Sequence, residues 1–182
     1  MERDGGIART RWIAVLAAVA LVVPAAAAAQ QKVDDAEIAQ IVVTANAIDV
    51  RQGEQALEKA TDAEVKRFAQ TMIADHKSVN ERAAALVKKL GVTPRENDVS
   101  RSLDASAAEK MKELASKSGA DFDRAYIANE VAYHRAVLEA LDNLLIPNAT
   151  NAELKQTLVD VRPAFEGHLR HAEMIRKALG GG

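Results

Sequence analysis

Cysteine is absent from all 182 residues. Its absence excludes disulfides, thiol catalysis, zinc–thiolate sites and a lipid-modified N-terminal cysteine. Aromatic residues amount to only 3 %, with four prolines and nine glycines. Ala, Leu, Glu and Lys are abundant instead, and these favour helix, so the composition argues for an all-α domain. The net charge is −2, with acids and bases interspersed, which leaves no electrostatic footprint for nucleic acid. Long apolar runs are scarce too. The one that exists, Trp12 to Val23, falls short of the ~20 residues of a membrane span. Arg9 and Arg11 precede it, Pro24 breaks it, and Ala25 to Ala29 offer small residues for cleavage. A signal peptide over residues 1–29 is therefore expected, with an exported domain over 30–182 and no membrane span in the mature chain. Thr10 separates the two arginines, which argues against a twin-arginine signal.

The exported part reads as four long helices. The first covers about Asp34 to Ala60, with the stripe Ile38, Val42, Ala45, Asp49, Gln52, Ala56 at helical spacing. Thr61-Asp62-Ala63-Glu64 reads as a capping box opening the second helix. Its stripe is Val65, Phe68, Met72, His76, Val79, Ala83, Leu86, Leu90, and Gly91 and Pro94 stop it. So short a connection predicts an antiparallel hairpin. A polar stretch follows, with a short extra helix expected from Asp104 to about Ser116 in the crossover between helices two and three. Helix three is expected from about Asp121 to Leu145, ended by Pro147 because proline disfavours helical geometry in the residue before it. Thr150-Asn151-Ala152-Glu153 reads as a second capping box. Helix four then shows Leu154, Leu158, Val161, Phe165, His168, Ala172, Ile175, Leu179, with a kink expected at Pro163.

Three histidines, His76, His134 and His168, occupy slots that these stripes otherwise give to apolar residues. Buried imidazoles need hydrogen-bond or metal partners. Counting along the helices at ~1.5 Å per residue, Asp49, His76, Glu130, His134 and His168 can share one layer. Asp75, Glu166 and His171 fall at the stripe edges. Imidazole and carboxylate donors suit zinc, iron, manganese or copper. Glu130 and His134, four apart, can face one side of helix three, and His168 and His171, three apart, can chelate. The same residues also make an internal hydrogen-bonded network, with Asp49 or Glu130 accepting from imidazole N–H and Tyr126 or Tyr133 joining. In such a network a carboxylate raises the imidazole pKa and adds stability at low pH, whereas a metal site is lost in acid.

Several segments together carry a family resemblance: Glu64 to Ala69, Met72 to His76, Phe122 to Tyr126, His134, and Val161 to Phe165 ahead of His168. Over about Asp35 to Leu179 the chain resembles a large family of bacterial exported proteins of unknown function with a ferritin-like bundle, often labelled outer-membrane proteins. The resemblance implies a four-helix ferritin-like fold in the cell envelope and no defined activity. Di-iron ferritin-like proteins use two Glu-x-x-His pairs and two further glutamates. Here Ile73, Val131 and Phe165 stand three residues before the histidines, which argues against ferroxidase or iron-storage chemistry. No nucleophile motif, phosphate loop or redox thiol points to a reaction. The expected role is a periplasmic or envelope protein, non-enzymatic, that buffers stress or binds a protein partner or itself. The alternative is a mononuclear metal-binding protein built on His76, His134 and His168 with Asp49 or Glu130.

Overall fold

The computed structural model describes residues 32–180. The expected signal peptide, residues 1–29, lies outside the described residues. Among these, all regular structure is helical. Helix α1 (Asp35–Lys59) is opened by a reciprocal box in which Asp34 accepts from the amide of Glu37 and Glu37 accepts from that of Asp34. Helix α2 (Ala63–Leu90) ends on Gly91, whose left-handed backbone (φ 65°) closes the last turn. Helices α3 (Asp98–Ala115) and α4 (Gly119–Ala140) follow. A π-helical turn over Leu141–Leu145, the short α5 (Ile146–Asn148) and α6 (Ala152–Ala178) complete the fold. No helix among the described residues is long and apolar enough to cross a membrane.

Four boundaries differ from the sequence reading, each for a physical reason. Asp62 and Asn151, not Thr61 and Thr150, cap α2 and α6. The two threonines are drawn across the molecule instead. Thr61 donates its amide and hydroxyl to Asp123 of α4, and Thr150 donates both to Asp35 of α1. The crossover helix is longer than expected: Asn97 and Ser100 form a reciprocal cap that starts α3 six residues before Asp104. Pro147 does not stop the helix at Leu145. The chain widens into the π turn, where the Ile146 amide reaches back to the Leu141 carbonyl, and proline then sits at the start of α5, where its missing N–H costs little. Helix α6 runs unbroken through Pro163.

Helix α1 packs along α2 and also touches α3 and α4. Helix α4 packs along α6, and α2 meets α6. Being covered on several sides, α1 buries a second stripe, Ile41, Thr44 and Ile48, beside Ile38, Asp49, Gln52 and Ala56 of the expected one. Two apolar clusters result. One gathers Val65, Phe68, Met72, Leu114, Phe122, Tyr126, Ile127 and Ile175, and the other Ile38, Ile41, Leu141, Leu145, Leu154, Leu158 and Phe165. The polar layer falls between them.

Gly53 sets the α1–α2 spacing. A Cβ there would lie 2.9 Å from Cγ1 of Ile73 and 3.2 Å from the carbonyl oxygen of Ala69. Gly53→Val is expected to lower stability by about 1–3 kcal/mol through overpacking, despite valine's better helix propensity. Denaturant melts of the two proteins read this, and an unchanged midpoint would show that the helices part without cost.

Candidate metal centre

The sequence stripes of α1, α2, α4 and α6 each deliver one or two polar side chains to the level between the two apolar clusters. His76, His134, Asp49 and Glu130 are at most 3 % exposed, and His168 is 7 % exposed. The three imidazole rings form a compact triangle with centroids 5.4–5.7 Å apart. Phe165 stacks on His76 at 5.2 Å and closes one side. The five residues singled out from the sequence therefore do meet in one layer.

Each histidine is held by a partner on one ring nitrogen. Nδ1 of His76 lies 2.6 Å from Oδ1 of Asn46. Asn46 uses its own N–H₂ on the carbonyl of Val42, so its oxygen faces the imidazole and Nδ1 must be the donor. Nδ1 of His134 donates to the carbonyl of Glu130 at 3.0 Å. Nε2 of His168 donates to Oδ2 of Asp75 at 2.8 Å. An acceptor on one nitrogen fixes the proton there and leaves a lone pair on the other. Those other nitrogens, Nε2 of His76, Nε2 of His134 and Nδ1 of His168, are buried without a hydrogen-bond partner. One ligand nitrogen from each of the three residues fits within 4.8 Å of the other two.

Asp49 joins them. Its Oδ2 lies 3.0 Å from Nε2 of His76 and 3.6 Å from Nε2 of His134. Neither contact has hydrogen-bond geometry, and both carboxylate oxygens are otherwise unpartnered. Burial pushes the Asp49 carboxyl up, but the surrounding imidazoles, His76 first, outweigh it and hold Asp49 below its usual range. Burial pulls His134 down to about 4 and also lowers His168. The ordinary state near neutral pH thus has His134 and His168 uncharged beside one ionised carboxylate. Glu130 behaves differently. Burial, reinforced by the charge of Asp49, raises it well above the usual carboxylate range and keeps it a neutral acid. Burial likewise raises Tyr126, whose neighbour is Glu130.

Some expectations need correction. Raised histidine pKa values were expected of a network, yet burial lowers His134 and His168 despite their carboxylate neighbours. His171 does not chelate beside His168: its Nε2 faces Glu64 at 3.3 Å and its ring meets the edge of Phe68. Tyr133 gives its hydroxyl to the Ala45 carbonyl rather than to a histidine. Asp49, Glu130 and His134 also approach closely enough to form a second candidate ligand group, and both carboxylate oxygens of Glu130 are buried without a hydrogen-bond partner. Sequence reading missed Asn46. Its signal was faint: a polar residue one turn before Asp49, outside the stripe. Asp75 was placed only at an edge.

Comparison with known proteins places the chain in context. A family model described as a domain of unknown function (DUF4142) matches residues 20–175. No curated protein matches the sequence. Two solved structures share the fold. A secreted protein of Streptomyces coelicolor described as DUF305 is 13 % identical, with a TM-score of 0.67 over 79 % of this chain and 92 % of its own. CopM in its Cu(II)-bound form is 14 % identical, with a TM-score of 0.62 over 81 % of this chain and 99 % of its own.

Proposed function

The chain belongs to the DUF4142 family, and from that premise we propose that it is an exported metal-binding protein of the periplasm or cell envelope. In this reading a ferritin-like four-helix bundle holds one transition-metal ion on His76, His134 and His168, with Asp49 as the oxygen donor. The observation that carries it is the closeness of three buried imidazoles, one ligand nitrogen from each lying within 4.8 Å of the others, while each ring has one buried nitrogen without a hydrogen bond and the other tied to an acceptor. Buried polar atoms left without a partner are costly, and a cation would satisfy them. Imidazole nitrogens with one carboxylate suit Cu(II) or Zn(II), and copper stands highest in affinity among first-row divalent ions for such donors. That CopM, of similar fold, is known in a Cu(II)-bound form supports the choice of copper. A bound ion would supply Lewis acidity or one-electron chemistry. The chain's own residues bind and orient, and they offer no nucleophile, so binding or buffering of the metal is the proposed role.

A second reading has one specific observation in its favour. His76 donates to Asn46 at 2.6 Å and lies 3.0 Å from Asp49, contacts that tie α2 to α1 and would make the layer a polar device that sets helix register. Melting separates the two. Chelator-stripped protein given Cu(II) or Zn(II) at 100–1,000 times Kd is expected to gain about 3–4 kcal/mol, reversed by EDTA. A midpoint indifferent to both ions would remove the metal reading and leave the register device.

A further inference from the structure

Next to the histidine layer lies an apolar chamber of about 130 Å³. Val99 and Leu103 of α3 and Ala136 and Ala140 of α4 line its outer part, and these are exposed or half-buried. Its inner wall is buried and reaches Phe165 and His76. The π turn contributes to that wall: Leu141 and Leu145, four apart on a widened turn, both line the chamber. Such turns often mark functional positions in helices. Helix α3 packs chiefly along α1 and touches α4 little, so the two helices do not close over the opening.

The polar groups at the chamber are already committed. Asn46 is used on the Val42 carbonyl and His76, and the Tyr133 hydroxyl on the Ala45 carbonyl. A water needs two to four polar partners and would find almost none here. An apolar cavity of ~150 Å³ is large enough for benzene, so this chamber matches a single ring and not a drug-sized molecule.

We propose that the chamber between α1, α3, α4 and α6 is a binding site for one small non-polar molecule, of single-aromatic-ring size, seated against His76 and Phe165. The chamber shares His76 with the metal reading but does not rest on it, because its walls are complete without an ion. Its ligand class follows from size and lining: the walls are almost wholly apolar, Asn46 and Tyr133 are already used, and the one nitrogen of His76 without a hydrogen bond lies 3.0 Å from Asp49.

The test uses benzene as probe on chelator-stripped protein. Saturable stabilisation is expected, with the melting midpoint rising by about 3–6 °C at ten times Kd. Ala140→Phe and, independently, Val99→Phe fill the chamber from opposite helices. At least one should fold with an unchanged or higher midpoint and lose the benzene response at least tenfold in Kd. No saturable response in the parent protein would overturn the proposal. So would an equal response in the parent and in a folded filled variant, because benzene would then bind elsewhere.

Discussion

Purified without a histidine tag or chelator, the protein is expected to carry about one equivalent of a transition ion, and H76Q/H134Q/H168Q close to none. Glutamine keeps bulk and hydrogen-bonding capacity but removes the buried imidazole nitrogens that have no hydrogen-bond partner. The helices should survive, because the two apolar clusters flanking the layer are untouched. Circular dichroism confirms that survival, so a missing ion is not mistaken for a missing fold. Asn46→Leu makes a finer test. Asn46 never meets the ion, but it fixes the His76 proton on Nδ1, and loss of such an orienting partner costs ~10–100-fold in metal affinity. Stoichiometric metal retained by the triple variant would move the site elsewhere.

Acid is expected to unfold the metal-free protein over the range in which His134 must be protonated. Burial holds His134 at about 4 in the fold, against ~6.5 unfolded. Between these values the unfolded chain binds a proton that the folded chain refuses, so stability rises with pH. The contribution is complete above about pH 6.5 and is lost as pH falls toward 4, about 3 kcal/mol in all. His168, lowered by burial, acts in the same direction. Glu130 acts in the opposite one: raised by burial, it keeps its proton in the fold and contributes stability that is lost as pH climbs above its unfolded range. Glu130→Gln, a neutral mimic of the protonated acid, should therefore steepen the acid limb and raise the midpoint at pH 8. Melts from pH 4 to 8 of parent, H134Q and E130Q read both effects. Because Glu130 offsets His134 in the parent, the deciding curve is that of E130Q: flat from pH 4 to 7, it would show that His134 is not held neutral. The sign of acid sensitivity consequently does not separate a metal site from a buried network here, as a simple histidine–carboxylate pairing implies. Only the added ion does.

Metal binding and acid sensitivity are linked through the same atoms. An ion needs the imidazole lone pairs, and protons compete for them. Because burial already keeps His134 and His168 neutral, that competition should begin below neutral pH. The neutral Glu130 removes a second negative charge from beside Asp49, so the donor set carries one negative charge in all.

Much of this was written in one dimension. Helix-favouring composition and period-3.6 stripes determine the helical class and most of the buried faces of α2, α4 and α6. The same stripes mark His76, His134 and His168, because a polar residue in an apolar slot is visible without coordinates. What the stripes cannot carry is any decision made between helices. Thr61 and Thr150 lose their local caps because Asp123 and Asp35 arrive from other helices. Helix α1 buries more than one face because it has three neighbours. Pro147 reads as a stop from its own geometry, but a π turn absorbs it. The charge states needed burial, since a sequence shows which groups titrate and not the desolvation that moves them. Above all, the direction of the free nitrogens depended on Asn46, the Glu130 carbonyl and Asp75, acceptors on three different helices. That imidazoles would be buried among helices was legible in the stripes; which nitrogen of each ring is left without a partner was settled in three dimensions, because hydrogen-bond direction is set by partners that meet in space.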